Sequence, residues 1–139
     1  MTLELQATPQ EVMRAVEALQ EFGQVRHVPE RALFGLTLAL EESASNIVNH
    51  ALRRDARQKF LVTIEETRNA VTLELRDRGP AFDPTQATAN HRTVPEEQAA
   101  GGWGIQLVRR YIDEIRYTRE ADENVLRLTK RLNEGSRPQ

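Results

Sequence analysis

A glutamate and an asparagine four residues apart are the first pair in the chain that could do chemistry. Glu42 and Asn46 lie in the segment LEESASNIVNHA, residues 40–51, among small and apolar residues. Residues four apart share a face of an α-helix, so both side chains project together, with Asn49 and His50 nearby. Glutamate can act as a general base, and an asparagine oxygen is a hard ligand that suits Mg²⁺. This helix alone still favours a simpler interpretation, a polar face exposed to solvent.

A glycine cluster, Gly101-Gly102-Trp103-Gly104, stands directly before a predicted helix. Glycines let backbone N–H groups approach an anion, and the helix N-terminus adds a partial positive charge, so the cluster can bind phosphate. It is not a P-loop, because no Gly-Lys-Ser/Thr follows, and it does not follow the first strand of a dinucleotide-binding βαβ unit. Taken alone, a glycine loop without a ligand explains the cluster equally well.

The third candidate is Asp77-Arg78-Gly79, at the end of a predicted strand. An aspartate at this point can accept a hydrogen bond from the exocyclic amine of a bound base. An ordinary Asx-turn explains the same residues and is favoured when they are considered alone.

The elements that must position these residues follow from hydrophobic periodicity and turn signals. Thr8, Pro9 and Glu11 form a capping box with proline at the first helical position. The predicted order is a strand over Thr2–Ala7, a helix to about Gly23, a helix from about Pro29, a hairpin over Phe60–Leu75, a polar loop over Thr85–Ala100, a helix after the glycines, and strands over Arg116–Arg119 and Val125–Leu132. This order predicts an α+β fold, a two-layer sandwich whose mixed, mostly antiparallel sheet has helices on one face.

Length and composition exclude several classes of protein. The 139 residues predict one domain over residues 1–132 and a flexible tail over residues 133–139. The net charge of -2 and the lack of a basic stripe give no support for nucleic-acid binding. There is no cysteine, so no disulfide or thiolate metal site is available. Neither a signal peptide nor a membrane-spanning run is visible, so we expect a cytoplasmic protein.

The three motifs together resemble a known family. EESASNIVNHA, DRGPAFDP and GGWGIQLVRRYIDEIRY are similar, in this order, to the N, G1 and G2 boxes of the Bergerat-fold (GHKL) ATPases, which include gyrase, Hsp90, histidine kinases and MutL. Within that group the chain resembles the small bacterial anti-sigma-factor serine/threonine kinases. The resemblance extends from the second helix to the last strand.

The resemblance implies a role for each matching residue. Glu42 matches the general base and Asn46 the Mg²⁺ ligand, while Asp77 matches the aspartate that binds the adenine amine. The glycines match those at the phosphates and the lid hinge, and the polar loop matches the ATP lid, which we expect to become ordered with nucleotide. The implied ATP-binding residues are Asn46, Asn49, His50, Asp77, Gly79, Ala81, Phe82, Gly101, Gly102, Trp103, Gly104, Ile105 and Thr129. Ala81 departs from the pattern, because many members of the wider group have a second glycine there.

The implied activity is transfer of phosphate from Mg-ATP to a serine or threonine of a STAS-domain anti-sigma-factor antagonist. Sequestration of a sigma factor and a homodimer, formed through apolar residues of Leu3–Phe22, are also implied. Two alternatives remain open. One is a catalytically weak ATP-binding module that switches partners without phosphoryl transfer, and the other is a plain ATPase subunit, which the short chain disfavours.

Overall fold

The computed structural model describes residues 1–86 and 103–132, with the side chains of Trp103 and Gly104 excepted. Helices cover one face of a five-stranded sheet. The elements are β1 (Thr2–Gln6), α1 (Pro9–Val25), α2 (Glu30–Asn46), β2 (Lys59–Thr67), β3 (Ala70–Asp77), α3 (Trp103–Tyr111), β4 (Glu114–Glu120) and β5 (Glu123–Arg131). The predicted α+β sandwich is thereby confirmed, and the elements follow one another in the predicted order.

The sheet has the order β1-β2-β3-β5-β4. Each described pair of neighbours is antiparallel, so the sheet is not mixed as the sequence suggested. Strand β4 runs in the same direction as β3, but β5 lies between them and pairs with both. The chain passes from β3 to β4 through α3, a connection that could place these two strands side by side as a parallel pair. Because β5 follows β4 in a tight hairpin and lies between β3 and β4, the two strands do not pair with each other.

The first helix begins as its sequence predicts. The Thr8 hydroxyl accepts a hydrogen bond from the Glu11 N–H over 3.3 Å, and Pro9 occupies the first helical position. The Glu11 carboxylate, however, accepts from the N–H of Gln6 over 3.0 Å, two residues before the position that the capping box requires. The cap therefore also fixes the end of β1 to the start of α1.

The second helix carries the largest share of the helical core and ends irregularly. Its buried face, with Leu36, Leu40 and Ala44, packs on the apolar side of the strands. After Asn46 the chain continues through a π-helical turn over Ile47–Ala51. A π-turn inserts one extra residue per turn, so side chains beyond Asn46 leave the face that an α-helix would give them.

The two faces of the sheet differ in character. The face under the helices is apolar, and its fully buried side chains include Leu5, Phe60, Val62, Ile64, Val71, Leu73, Leu75 and Leu128. The opposite face carries a network of ion pairs in which Arg76 contacts Glu74 and Glu123, and Arg127 contacts Glu74. A binding pocket that needs apolar walls must therefore open on the helical side. No helix in the described ranges is both long and apolar enough to span a bilayer.

Candidate functional site

A pocket opens between the C-terminal half of α2, helix α3 and the ends of β3, β4 and β5. Its cavity volume within the described residues is about 40 Å³, well below the usual range for small-molecule sites, so this part of the chain forms a narrow cleft that opens to solvent. Its described lining is Glu42, Ser43, Asn46, Ile47, Ala51, Leu75, Asp77, Phe82, Pro84, Ile105, Val108, Ile115, Tyr117, Asn124, Leu126 and Leu128. A mostly apolar wall with a few polar groups is typical of a pocket for a flat heterocycle with a polar edge.

Glu42 and Asn46 both line this pocket, one turn apart on α2. Both side chains are half-buried, and the described part of the chain offers neither of them a hydrogen bond or an ion pair. Burial raises the pKa of the Glu42 carboxyl, and the neighbouring charge of Glu41 raises that pKa further. The pair therefore presents to the pocket a carboxyl with a raised pKa and an amide that has no hydrogen-bond partner in the described part of the chain.

Asn49 and His50, which were predicted to join them, do not line the described pocket. Both are exposed, and the Asn49 side-chain oxygen accepts a hydrogen bond from Arg54 Nε over 2.7 Å. The π-turn that begins at Ile47 explains this difference, because it turns the two side chains off the face of Asn46. The prediction that these two residues bind nucleotide has no support from their positions.

Asp77 ends β3 and is 5% exposed. Its Oδ1 accepts hydrogen bonds from the Gly79 N–H over 2.8 Å and from Asn124 Nδ2 over 3.0 Å. The bond to Gly79 is the Asx-turn that the sequence offered as an alternative to binding. Within residues 1–86 and 103–132 no group donates to Oδ2, so the turn leaves the second carboxylate oxygen of Asp77 without a partner in this part of the chain.

Gly79 is required for close packing. Its φ is not positive, so its backbone conformation is open to other residues. A Cβ atom at this position would lie 2.9 Å from both the Cβ and the backbone oxygen of Ala51, in the π-turn. The loop after β3 therefore packs against the end of the helix that carries Glu42.

The remaining predicted residues near the pocket have mixed outcomes. Phe82 lines the pocket although 45% of its surface is exposed, and the buried Ile105 lines it from α3. Ala81 is exposed and does not belong to the described lining. Trp103 and Gly104 form the first turn of α3, next to the pocket-lining Ile105. Gly101, Gly102 and the predicted lid beyond residue 86 lie outside the described residues.

Thr129 lies on the wrong face of the sheet for the predicted contact with nucleotide. Side chains alternate along a strand, and Leu126 and Leu128 of β5 face the pocket. Thr129 instead faces the charged side, where its hydroxyl is 3.4 Å from the hydroxyl of Thr72. We therefore correct the prediction and exclude Thr129 from the site.

Three polar residues around Asp77 were missed by sequence reasoning. Asn124 is 5% exposed and bonds Asp77, and both Tyr117 and Arg119 bond Asn124. In the sequence Asn124 stands directly before the last predicted strand and carried no predicted role. The pairing of β3 with β5 brings Asn124 opposite Asp77, and no signal in the sequence indicated that pairing.

Comparison with known protein families agrees with this geometry. Residues 5–130 match the model of the histidine kinase-like ATPase domain. The chain is also 34% identical, over 130 residues, to the serine/threonine-protein kinase BtrW of Bordetella bronchiseptica. That match covers 92% of this chain and 91% of the relative.

Two solved structures have a similar fold. The RsbU and RsbW domains of Rv1364c from Mycobacterium tuberculosis match with a TM-score of 0.70 and 19% identity, over 95% of this chain and 31% of that one. The histidine kinase domain of a blue-light-activated kinase from Erythrobacter litoralis matches with a TM-score of 0.55 and 13% identity, over 90% of this chain and 61% of that one. At these identities the likeness concerns the fold alone.

Proposed function

The chain belongs to the histidine kinase-like ATPase domain family, and on this premise we propose that it is a Mg-ATP-dependent protein serine/threonine kinase. Its proposed substrate is a STAS-domain anti-sigma-factor antagonist in a partner-switching pathway. The observation that carries the proposal is that Glu42, Asn46 and Asp77 line one pocket although they come from two separate elements. The relative named as a serine/threonine kinase supports the same activity.

The adenine end of the nucleotide is assigned to Asp77. Its Oδ1 is used by Gly79 and Asn124, so Oδ2 is the oxygen that remains for a donor from the ligand. The exocyclic amine of adenine is such a donor. The apolar side chains of Leu75, Ile105 and the rest of the pocket wall give the ring a surface to stack on and exclude water from this bond.

The proton of the attacking hydroxyl is assigned to Glu42. In the proposed step the substrate hydroxyl oxygen bonds to the γ-phosphorus, the bond from that phosphorus to the β–γ bridging oxygen breaks, and the hydroxyl proton passes to the Glu42 carboxylate. ADP and the phosphorylated partner are the products. A half-buried carboxylate with a raised pKa is a stronger base than an ordinary glutamate, which suits this role.

We propose that Asn46 is a ligand of the magnesium ion that accompanies ATP. Mg²⁺ prefers oxygen ligands and is held in nucleotide sites by one or two protein groups together with phosphate oxygens and water. Asn46 supplies one amide oxygen to the pocket, and its side chain makes no hydrogen bond within the described ranges. When bound, the ion would neutralise phosphate charge, and Asn46 would supply one of its protein ligands.

The proposed partners follow from the family resemblance. We propose the partner-switching role that the family resemblance implies, in which this chain also binds a sigma factor or similar regulator, and the kinase name of BtrW supports a protein substrate. We further propose a cytoplasmic homodimer. Its interface would use α1 beside the edge strand β1, where Met13 is 47% exposed, and light scattering measures the mass directly.

The second candidate function is a nucleotide-dependent binding module that transfers no phosphate. The same pocket serves it, because Asp77 and Asn46 suffice for nucleotide binding. The two functions are distinguished by incubating the protein with γ-labelled Mg-ATP and a STAS-domain protein from the same organism. The kinase proposal expects label on a serine or threonine of that protein. Stoichiometric ATP binding without label on the partner would favour the binding module.

A further inference from the structure

We propose that Asn124 is a positioning residue that fixes the acceptor oxygen of Asp77 and the loop after β3, and thereby sets the preference for an adenine base. This inference rests on the proposed nucleotide binding and deepens it. Asn124 is 5% exposed, and it belongs to no motif that the sequence offered.

The amide nitrogen of Asn124 connects the strand to the loop. Its Nδ2 donates to Asp77 Oδ1 over 3.0 Å and to the backbone oxygen of Pro80 over 2.9 Å. A longer contact of 3.4 Å joins it to the backbone oxygen of Gly79. One amide group therefore holds the carboxylate and the first loop residues in a fixed relation.

The amide oxygen of Asn124 receives three donors. The Phe82 N–H donates to it over 3.1 Å and Arg119 Nη1 over 3.2 Å, and the Tyr117 hydroxyl donates as well. With donors on one side of the amide and acceptors on the other, only one orientation of this side chain satisfies the network. The nitrogen is thus forced to face Asp77.

The strand register explains why the network forms here. Asp77 pairs with Asn124 across β3 and β5, and Asn124 pairs with Arg119 across β5 and β4. Residues opposite each other in adjacent strands point to the same face, so the three side chains form a row at the end of the sheet. Arg119 continues this row into the loop by donating to the backbone oxygen of Gly79 over 2.8 Å.

The consequence concerns the second oxygen of Asp77. Because Asn124 and Gly79 both hold Oδ1, rotation of the carboxylate is restricted and Oδ2 stays directed at the pocket. A fixed acceptor favours a ligand with a donor at that point and penalises one that lacks it, because the buried oxygen is then left unpaired. Asn124 therefore acts on base selection without touching the base itself.

The test uses Asn124→Asp, which has nearly the same shape but replaces the donating nitrogen with an oxygen that faces Oδ1 of Asp77. The ligands are ATP and purine riboside triphosphate, which lacks the exocyclic amine, and calorimetry measures both affinities. Thr129→Val, on the same strand but the opposite face, is the matched control. Unfolding curves of each variant establish that it is folded.

We expect the wild type and Thr129→Val to prefer ATP by about tenfold or more, since a hydrogen bond to a charged group has this value. Asn124→Asp should lose most of this preference at neutral pH. It should regain part of it in acid, where one proton is shared by the two carboxyl groups; a purely structural defect predicts no such recovery. An unchanged preference in folded Asn124→Asp overturns the inference and leaves the proposed function standing.

A second variant covers the case in which Asn124→Asp does not fold. Tyr117→Phe keeps the ring at the pocket wall and removes one donor to the Asn124 oxygen, so the preference for ATP should fall several-fold. An undiminished preference in Tyr117→Phe contradicts the inference. A wild type that binds neither nucleotide contradicts the proposed function itself, and the inference with it.

Discussion

Gly79 and Ala51 lie so close that a Cβ atom on the glycine would be 2.9 Å from both the Cβ and the backbone oxygen of the alanine. The first residue belongs to the loop after β3 and the second to the π-turn after α2. This contact joins the loop after β3, which is proposed to bind adenine, to the end of α2, which carries the proposed general base and the proposed metal ligand. The two halves of the pocket are therefore coupled by packing.

Gly79→Ala should consequently damage both folding and binding. The neighbouring atoms are a Cβ and a backbone oxygen, which cannot move as the end of a flexible side chain can, so we expect a loss of about 1–3 kcal/mol in the free energy of unfolding. Denaturant unfolding measures the loss. The double variant Gly79→Ala, Ala51→Gly removes one of the two clashes and should recover part of it. A single variant as stable as the wild type would show that the loop and the helix end are not rigidly packed.

Asp77→Asn should remain folded but change its ligand preference. An asparagine oxygen can still accept the bonds from Gly79 and Asn124, while its NH₂ group replaces the Oδ2 acceptor in the pocket. ATP affinity should fall by about ten- to a hundredfold, and ITP, which has an acceptor at the same ring position, should lose far less. Calorimetry with both nucleotides measures this difference between the two losses of affinity. Equal losses for the two nucleotides would remove Asp77 from the adenine role.

Asn46→Ala should weaken the part of nucleotide affinity that depends on magnesium. Loss of a ligand to a charged ion should lower Mg-ATP affinity about tenfold or more and leave the affinity measured with excess chelator nearly unchanged. Asn49→Ala is the matched control, because Asn49 is exposed and bonds Arg54 outside the described pocket. Equal effects of the two substitutions would contradict the assignment of the metal to Asn46.

The raised pKa of Glu42 makes a prediction about stability. Burial and Glu41 raise the pKa of this carboxyl in the folded state, so the folded protein binds the proton more tightly than the unfolded chain does. The proton on Glu42 therefore stabilises the folded state. This stabilisation is fully present at a pH below the ordinary pKa of a glutamate and is lost as the pH rises through the raised pKa of the folded state. Glu42→Gln should therefore be more stable than the wild type at neutral pH, and this difference should vanish in acid.

Unfolding curves of Glu42→Gln across that pH range measure the difference. Glu41→Gln, which removes the neighbouring negative charge, should give a gain of the same sign but smaller size, because burial is the larger cause. If the difference in the free energy of unfolding between Glu42→Gln and the wild type stays constant with pH, ionisation of Glu42 does not destabilise the folded protein, and the prediction is contradicted.

The candidate residues that the sequence identified are those whose positions depend on local patterns along the chain. Glu42 and Asn46 share a helical face through simple periodicity, and Asp77 follows from the end of an alternating strand. The π-turn after Asn46 breaks that periodicity, and Asn49 and His50 do not line the described pocket. No local sequence pattern predicted the π-turn.

The remaining errors came from the register of distant strands. The sequence predicted β5 but not its pairing with β3, so nothing indicated that Asn124 would meet Asp77. For the same reason the face of Thr129 could not be assigned, and its expected role rested on the family resemblance alone. Strand order is set by the packing of the whole core, so it cannot be predicted from segments of the sequence considered one at a time.

The most direct test of the central claim is the paired measurement of phosphate transfer and ATP affinity in Glu42→Gln. Gln preserves the size of the side chain but cannot take the hydroxyl proton, and a positioned general base contributes roughly 10²–10⁴-fold. With γ-labelled Mg-ATP and the STAS partner, we predict that transfer falls by that factor while ATP affinity barely changes. Transfer at the wild-type rate, or no transfer by a wild type that binds ATP, would contradict the account.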